Sequence, residues 1–318
     1  MEYTVKPEEA GRRVWAILRG PMGVSYTAMK SAKWNGRILL NGEPARADAR
    51  TAAGDIVSIG WAAEEPAYRT EPFDLPLEVP YMDGDLMAVV KPAGIAAQTS
   101  RNHPKDSLEN AVYAYLGRPE NYVYRPVNRL DKGTGGLMVI ARTPHAQHLL
   151  QKELHTPAFR RRYLAWTDGR PEAEEGILDF PIAKAPGATV KRTVSPEGKA
   201  CRTRYRVLRE AEGGALILLE LETGRTHQIR VHLSHIGCPV RGDFLYGRER
   251  EEEFPGCFAL HSAMAELIHP MTGELVRLTS LPAWAADVTE AELLTDFCSF
   301  DGLSLTRQGA KGIMINHY

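Results

Sequence analysis

A charged turn rich in glycine, Arg129-Leu130-Asp131-Lys132-Gly133-Thr134-Gly135-Gly136, runs directly into the apolar stretch Leu137-Met138-Val139-Ile140-Ala141. A short apolar run bounded by turn residues reads as a buried strand. The chain must therefore close a core around this strand while keeping an arginine and a carboxylate at its mouth. The glycines suit a sharp turn and close approach of a ligand. A phosphate loop is excluded, because no G-x-x-x-x-G-K-[ST] is present and the glycines precede a strand rather than a helix. Taken alone, Asp131 reads as readily as a turn residue bonding its own backbone as it does as a catalytic group.

The 318 residues suffice for two domains. In the first, residues 8–19 place Val14, Ile17 and Leu18 on one helical face, with Pro21 ending the element. Ser25 caps a second helix running to about Trp34, and Asn41-Gly42 and Gly54-Asp55 mark turns between strands. Arg12, Arg13, Arg19, Lys30, Lys33 and Arg37 fall on or between the helices. With its LNGEP and GDIVSI turns, this segment, residues 1–60, resembles the small RNA-binding module shared by a ribosomal small-subunit protein and bacterial tyrosyl-tRNA synthetases. Residues 61–74, rich in proline and charge, read as a linker.

Residues 75–286 form the large domain. Leu86–Val90 is a strand; Ser107 caps a helix carrying Leu108, Val112 and Leu116; Thr143-Pro144 starts another whose core face is Leu149, Leu150 and Leu154. Residues 160–167 alternate like a half-buried strand, and 215–237 hold a strand, a Thr-Gly turn and a helix ending at Gly237. Strand signals outnumber helices and follow one another through short turns, which predicts an α+β fold with a mainly antiparallel mixed sheet. Residues 287–318 form an extension whose role is not readable.

Net charge is −1, so bulk charge does not coat this protein with nucleic acid. Between Lys184 and Arg209, however, eight Lys or Arg residues face one acid, Glu197, and 160–162 is Arg-Arg-Arg. Such a surface grips a polyanion locally, or is a solvated basic edge. The scattered cysteines read as reduced thiols, and no apolar run reaches the roughly 18–20 residues of a membrane span. His227, His232 and His235 lack an H-E-x-x-H frame or a cysteine pair, so no metal is expected. The expected setting is cytoplasmic.

Six segments, KPAGIAAQ, VNRLDKGTGGL, RRYLAW, LLELETGRTHQIRVHL, CPVRGDFLYG and LHSAMAELIHPMTGE, occur in order between about residues 75 and 285. Together they resemble the RluA-like RNA pseudouridine synthases. The resemblance implies that Asp131 is the nucleophile and that Arg129 displaces the target base from its stack. It makes Tyr163 the residue that stacks on the uracil and helps remove the carbon-5 proton. Arg230 pairs with Asp131, and Ile229 packs on the flipped base. Arg225, His227, Lys91, Arg160 and Arg161 are further candidates for RNA or base contact. No metal or other cofactor is implied. The partner is RNA rather than DNA or membrane, ribosomal large-subunit (23S) RNA before transfer RNA, bound by a monomer. Two positions depart from the family pattern: Asn128 stands where His is usual before RLD, and Gly135 where Ser is usual. A non-catalytic RNA-binding assembly factor is the competing class, and a nucleotide-binding metabolic enzyme is disfavoured by the missing phosphate loop.

Overall fold

The structure, a computed structural model, describes residues 1–34, 37–60, 68–211, 213–297 and 312–316. The chain divides into two compact units, one of Met1–Arg69 with Glu120–Val123 and one of Thr70–Pro119 with Tyr124–Tyr318. The division between Arg69 and Thr70 falls inside the expected linker, whose residues 61–67 lie outside the described residues.

The small unit packs helices α1 (Val14–Arg19) and α2 (Tyr26–Trp34) on an antiparallel sheet. Its strands β1 (Glu2–Thr4), β2 (Ile38–Leu40), β3 (Glu43–Pro44) and β4 (Ile56–Ile59) lie in the order β1-β4-β2-β3. Val14, Ile17 and Leu18 are fully buried with Val24, Ile38 and Val57. The helix expected over 8–19 is instead broken. A 3-10 turn at Pro7–Glu9 precedes Gly11, whose φ of +81° is left-handed, and the α-helix begins only at Val14. Ser25 Oγ accepts the Ala28 N–H at 3.1 Å, as a cap should. Asn41 and Gly42 both have positive φ, the type I′ geometry that matches strand twist.

The large unit carries strands β5 (Glu78–Met82), β6 (Leu86–Lys91), β7 (Gly135–Ala141), β8 (Phe159–Asp168), β9 (Glu175–Asp179), β10 (Ile182–Lys184), β11 (Arg192–Val194), β12 (Arg202–Ala211), β13 (Gly214–Leu221), β14 (Leu260–Ile268), β15 (Leu275–Thr279) and β16 (Gly312–Asn316). Helices α3 (Leu108–Tyr115), α4 (Pro144–Glu153), α5 (Gln228–His235) and α6 (Glu290–Leu294) connect or flank them. The main sheet runs β5-β6-β7-β14-β8-β13-β12-β9, with β15 on β14 and β16 on β15. β10 and β11 pair separately. Only β7–β14 and β15–β16 are parallel among the described pairs, so the sheet is mixed and mainly antiparallel. The fold is α+β.

The β7–β14 pairing explains the glycines better than ligand approach does. Gly136, at φ +103°, lies where a Cβ would be 2.4 Å from the Ser262 carbonyl oxygen. A Cβ on Gly133 would be 2.4 Å from the Phe258 ring. Real Cβ atoms do not approach so closely, so the glycines let β14 and Phe258 close on the loop from within.

Strand β8 does not alternate between core and solvent. It lies between β14 and β13, and Arg161, Arg162, Tyr163, Leu164 and Ala165 are all buried. Its outer face is covered by the end of the large domain and the start of the C-terminal extension, where Ala285, then Val288 and Leu293, join Leu164, Leu216, Leu218 and Ala263 in one apolar cluster. Arg162 is fully buried there, donating to Glu220 Oε2 at 2.7 Å and to the Leu293 and Thr295 carbonyls. The extension assigned to 287–318 thus contributes core. Its α6 is capped by Thr289, whose side chain accepts the Glu292 N–H.

Candidate active site

Sheet register, rather than proximity in sequence, assembles the site. Gly136, Ser262 and Tyr163 stand abreast on β7, β14 and β8. With strands about 4.8 Å apart, Tyr163 is only two strands from the end of the Asp131 loop.

That loop is tied down from below. Lys91, 1% exposed, donates to the carbonyl oxygens of Pro92 (2.9 Å), Ile95 (2.8 Å) and Lys132 (3.2 Å). Three acceptors for three protons is the geometry of a charged ammonium. Burial pulls that ammonium down to about 7, while Asp131 resists the shift. Expected as an RNA or base contact, Lys91 is instead enclosed, and its ammonium braces the loop. Asn128 is likewise buried, and its Oδ1 accepts the Val139 N–H at 2.8 Å. The amide that replaces the usual histidine ties the loop to β7. Arg129 is exposed and Asp131 is partly exposed, with 26% of its side chain open.

Helix α5 supplies the counter-charge. Arg230, buried, donates from Nη1 to Asp131 Oδ2 at 2.9 Å and from Nε and Nη2 to the two carboxylate oxygens of Asp243 at 2.7 and 2.9 Å. The bidentate fork with Asp243 aims the remaining nitrogen at Asp131. Burial opposes the guanidinium's charge, but the two carboxylates outweigh it and hold its pKa above the usual range. Phe258 and Tyr246 rings lie 4.3 and 5.0 Å from Arg230 Cζ. Asp243, Tyr246 and Phe258 were not singled out from the sequence, although RGDFLYG contains two of them. A fully buried aspartate carries no local pattern that distinguishes it from a turn residue.

Tyr163 is 3% exposed rather than half-buried. Burial pushes its phenol up and the neighbouring Arg161 only partly opposes this, so the ring is a protonated phenol at neutral pH. Ile229 is buried beside Arg230. His227 heads α5 in the left-handed region, at φ +58°, with Nε2 3.9 Å from Asp131 Oδ2. Tyr246 Oη accepts the Arg192 N–H at 2.8 Å and can donate its own proton to His227 Nδ1, also 2.8 Å away. With the phenol donating, the imidazole proton is on Nε2, facing Asp131. Burial lowers the His227 pKa, against the pull of Asp131, which favours this neutral form.

A model of the RNA pseudouridylate synthase family matches residues 85–235. The Bacillus subtilis RNA pseudouridine synthase YjbO is 34% identical over 81% of this chain and 91% of its own. Ribosomal large subunit pseudouridine synthase D of Xanthomonas campestris is 34% identical over 88% of each chain, and that of Escherichia coli K12 is 34% identical over 85% of this chain and 87% of its own. This chain is an RNA pseudouridine synthase. The fold agrees: the solved structure of human RNA pseudouridylate synthase domain containing 1 superposes with a TM-score of 0.55 at 23% identity, covering 65% of this chain and 84% of that one.

In the synthase, several expected RNA contacts are spent internally. Arg160 pairs with Glu220 (3.0 Å) and Asp296 (3.1 Å), and Arg161 is buried with Nη2 on the Leu154 carbonyl. Arg202 and Arg204 pair with Glu222, and Arg206 with Glu175. Of the basic stretch, Lys184, Lys191 and Lys199 are exposed. Arg225 is exposed, its guanidinium 3.4 Å from the Ala200 carbonyl. The polar density around it serves Gln228, which accepts the Arg225 N–H and donates to β12. His232 is a satisfied core histidine between Thr203 and Phe180. Among the described residues no group of three or more His, Cys, Asp or Glu could hold a metal, and no helix is long and apolar enough to cross a membrane.

Beneath Gly135 lies His261, whose Nδ1 would be 3.1 Å from a Cβ there and whose Nε2 bonds Ser280 Oγ at 3.1 Å. Burial lowers its pKa to about 4. The folded value lies below the unfolded one, near 6.5 for a free imidazole, so the unfolded chain binds the extra proton first. Stability from this group is complete above about pH 6.5 and is lost as pH falls toward 4, on the order of 3 kcal/mol in all. In urea unfolding at pH 7 and pH 4.5, His261→Gln should remove most of that acid loss. An unchanged pH dependence would refute the assignment.

Proposed function

We propose that this synthase isomerises a uridine of large-subunit ribosomal RNA, flipping the base from its stack and using Asp131 as the nucleophile. One observation carries the reading: a partly open carboxylate is fixed by a buried guanidinium that a second, fully buried carboxylate orients. Such an anion is held ready to act at the sugar while the detached base stays in the pocket. An Asp131 carboxylate oxygen bonds C1′ as the C1′–N1 bond breaks, the uracil turns, carbon 5 bonds C1′ and displaces the carboxylate, and the proton lost from carbon 5 is balanced by one gained at N1. One C–N bond is exchanged for one C–C bond with no net redox change.

Tyr163 and Ile229 are the apolar surfaces offered to the uracil, and His227 Nε2, 3.9 Å from Asp131 Oδ2, stands beside that carboxylate next to the closer Arg230 Nη1–H. Exposed Arg129 fills the vacated stack, offsetting the few kcal/mol that extrusion costs. The small unit, with its exposed arginines and lysines on and beside two helices, extends the grip on RNA. Ribosomal large-subunit RNA is chosen because the Xanthomonas and Escherichia relatives carry that target in their names.

The test is a map of pseudouridine in total RNA from cells with and without the gene, paired with purified protein on unmodified large-subunit transcript. One or more sites lost from large-subunit RNA, and restored in vitro, is the expected result. Loss confined to transfer RNA would overturn the target. No lost site anywhere would favour a binding factor that retains the fold.

A further inference from the structure

We propose that Phe244 is a stacking platform for the base of a nucleotide adjacent to the uridine held at Asp131. The proposal rests on the functional reading above and adds a nucleobase subsite beside the target pocket.

Phe244 follows the fully buried Asp243, yet its own side chain is 55% exposed. The exposure is built into the backbone. Asp243 Oδ1 accepts the N–H groups of Leu245 (2.9 Å) and Tyr246 (3.2 Å), and the Asp243 carbonyl accepts the Gly247 N–H at 2.8 Å. The same carboxylate grips Arg230, so the turn presenting Phe244 is clamped to the charged centre of the site.

The inner side of the phenyl group is accounted for. Its centroid is 6.5 Å from that of Phe258, at a tilt of 51°, and 5.9 Å from Arg230 Cζ. Phe258 in turn lies against Gly133 of the Asp131 loop. The outer side is left to water, an unfavourable place for an aromatic ring. Exposed Arg129 and Lys132 lie on the loop that Phe258 connects to it, so phosphate-seeking charge and an open π-face share this rim. Arg230 links the ring to the reacting carboxylate: its Nη1 is bonded to Asp131 and its Cζ lies 5.9 Å from the Phe244 centroid. An RNA strand entering with one base flipped has its neighbouring base unstacked on one face, and an aromatic ring is the partner that any base accepts.

The test uses full-length protein and an unmodified transcript of large-subunit ribosomal RNA. Affinity is measured in an Asp131→Asn background, where turnover does not intervene, and KM and kcat in the active protein. Phe244→Ala and Phe244→Leu should each weaken binding and raise KM by about 5- to 100-fold, with kcat changed less than about twofold. Phe244→Trp should restore both. Equal affinity for all variants would overturn the platform, as would full rescue by leucine, which offers apolar area without a π-face. Failure of the wild-type protein to form pseudouridine in the transcript would count against the functional reading, while the affinity series would still decide Phe244. Thermal melts check that Phe244→Ala and Phe244→Leu stay folded when the inner contacts with Phe258 and Arg230 are altered, and Phe244→Leu, which keeps apolar area there, should melt nearer the wild type than Phe244→Ala.

Discussion

Asp131→Asn should abolish pseudouridine formation, lowering kcat by about 10⁴-fold or more, while affinity for the RNA stays within a few fold. The two halves of this expectation have different physical origins. Asparagine keeps the shape of aspartate, and its carbonyl oxygen can still accept Arg230 Nη1–H. Arg230 itself stays clamped, because Nε and Nη2 remain on Asp243. The loop keeps its braces from Lys91 and Asn128. What disappears is the anion, and a neutral amide oxygen is a poor nucleophile. The loss should therefore fall on the chemical step. Release of tritium from a transcript labelled at carbon 5 of uridine measures turnover, and binding of the same RNA measures the rest. An asparagine variant turning over within tenfold of wild type would remove Asp131 from the role of nucleophile.

Asp243→Ala should destabilise the large unit by about 3–5 kcal/mol, the usual consequence of removing one partner from a buried ion pair. Asp243 is fully enclosed and answers two of the three Arg230 nitrogens, while also accepting two backbone N–H groups. Alanine leaves a buried guanidinium dependent on Asp131 alone and two donors unsatisfied. Activity should fall with stability, because the fork that aims Nη1 is gone. A second variant separates the effects: Arg230→Met with Asp243→Leu removes both charges and should recover much of the stability without recovering turnover. Urea unfolding at pH 7 and the tritium assay read the two quantities. Asp243→Ala unfolding within about 1 kcal/mol of wild type would show that the pair is not a structural support.

Much of the local architecture was legible in the chain. Ser25, Ser107 and Thr143 cap the helices they were expected to cap, Asn41-Gly42 makes the tight turn, and Val14, Ile17 and Leu18 face one core. These features rest on contacts between residues a few positions apart, so sequence spacing records them. The arginines of 160–162 were read as part of a surface for a polyanion and Lys91 as a candidate RNA contact because charge is visible in a sequence and burial is not. Arg162 is fully enclosed because Glu220, 58 residues away, and the carbonyls of Leu293 and Thr295 meet it there. The glycines of the Asp131 loop were read as access for a ligand, whereas Gly133 and Gly136 admit Phe258 and Ser262.

By itself the sequence determined the α+β class, the caps and turns, and the family resemblance that nominates Asp131, Tyr163 and Arg230. Tertiary structure decided how these meet and what holds them. The parallel pairing of β7 with β14 and the antiparallel pairing of β14 with β8 bring the Asp131 loop level with Tyr163. Asp243, 13 residues beyond Arg230, turns a helix arginine toward a carboxylate 99 residues before it. The difference is physical: capping and turn chemistry are satisfied within a few bonds of backbone, while a buried charge is tolerable only where distant chain supplies its partner.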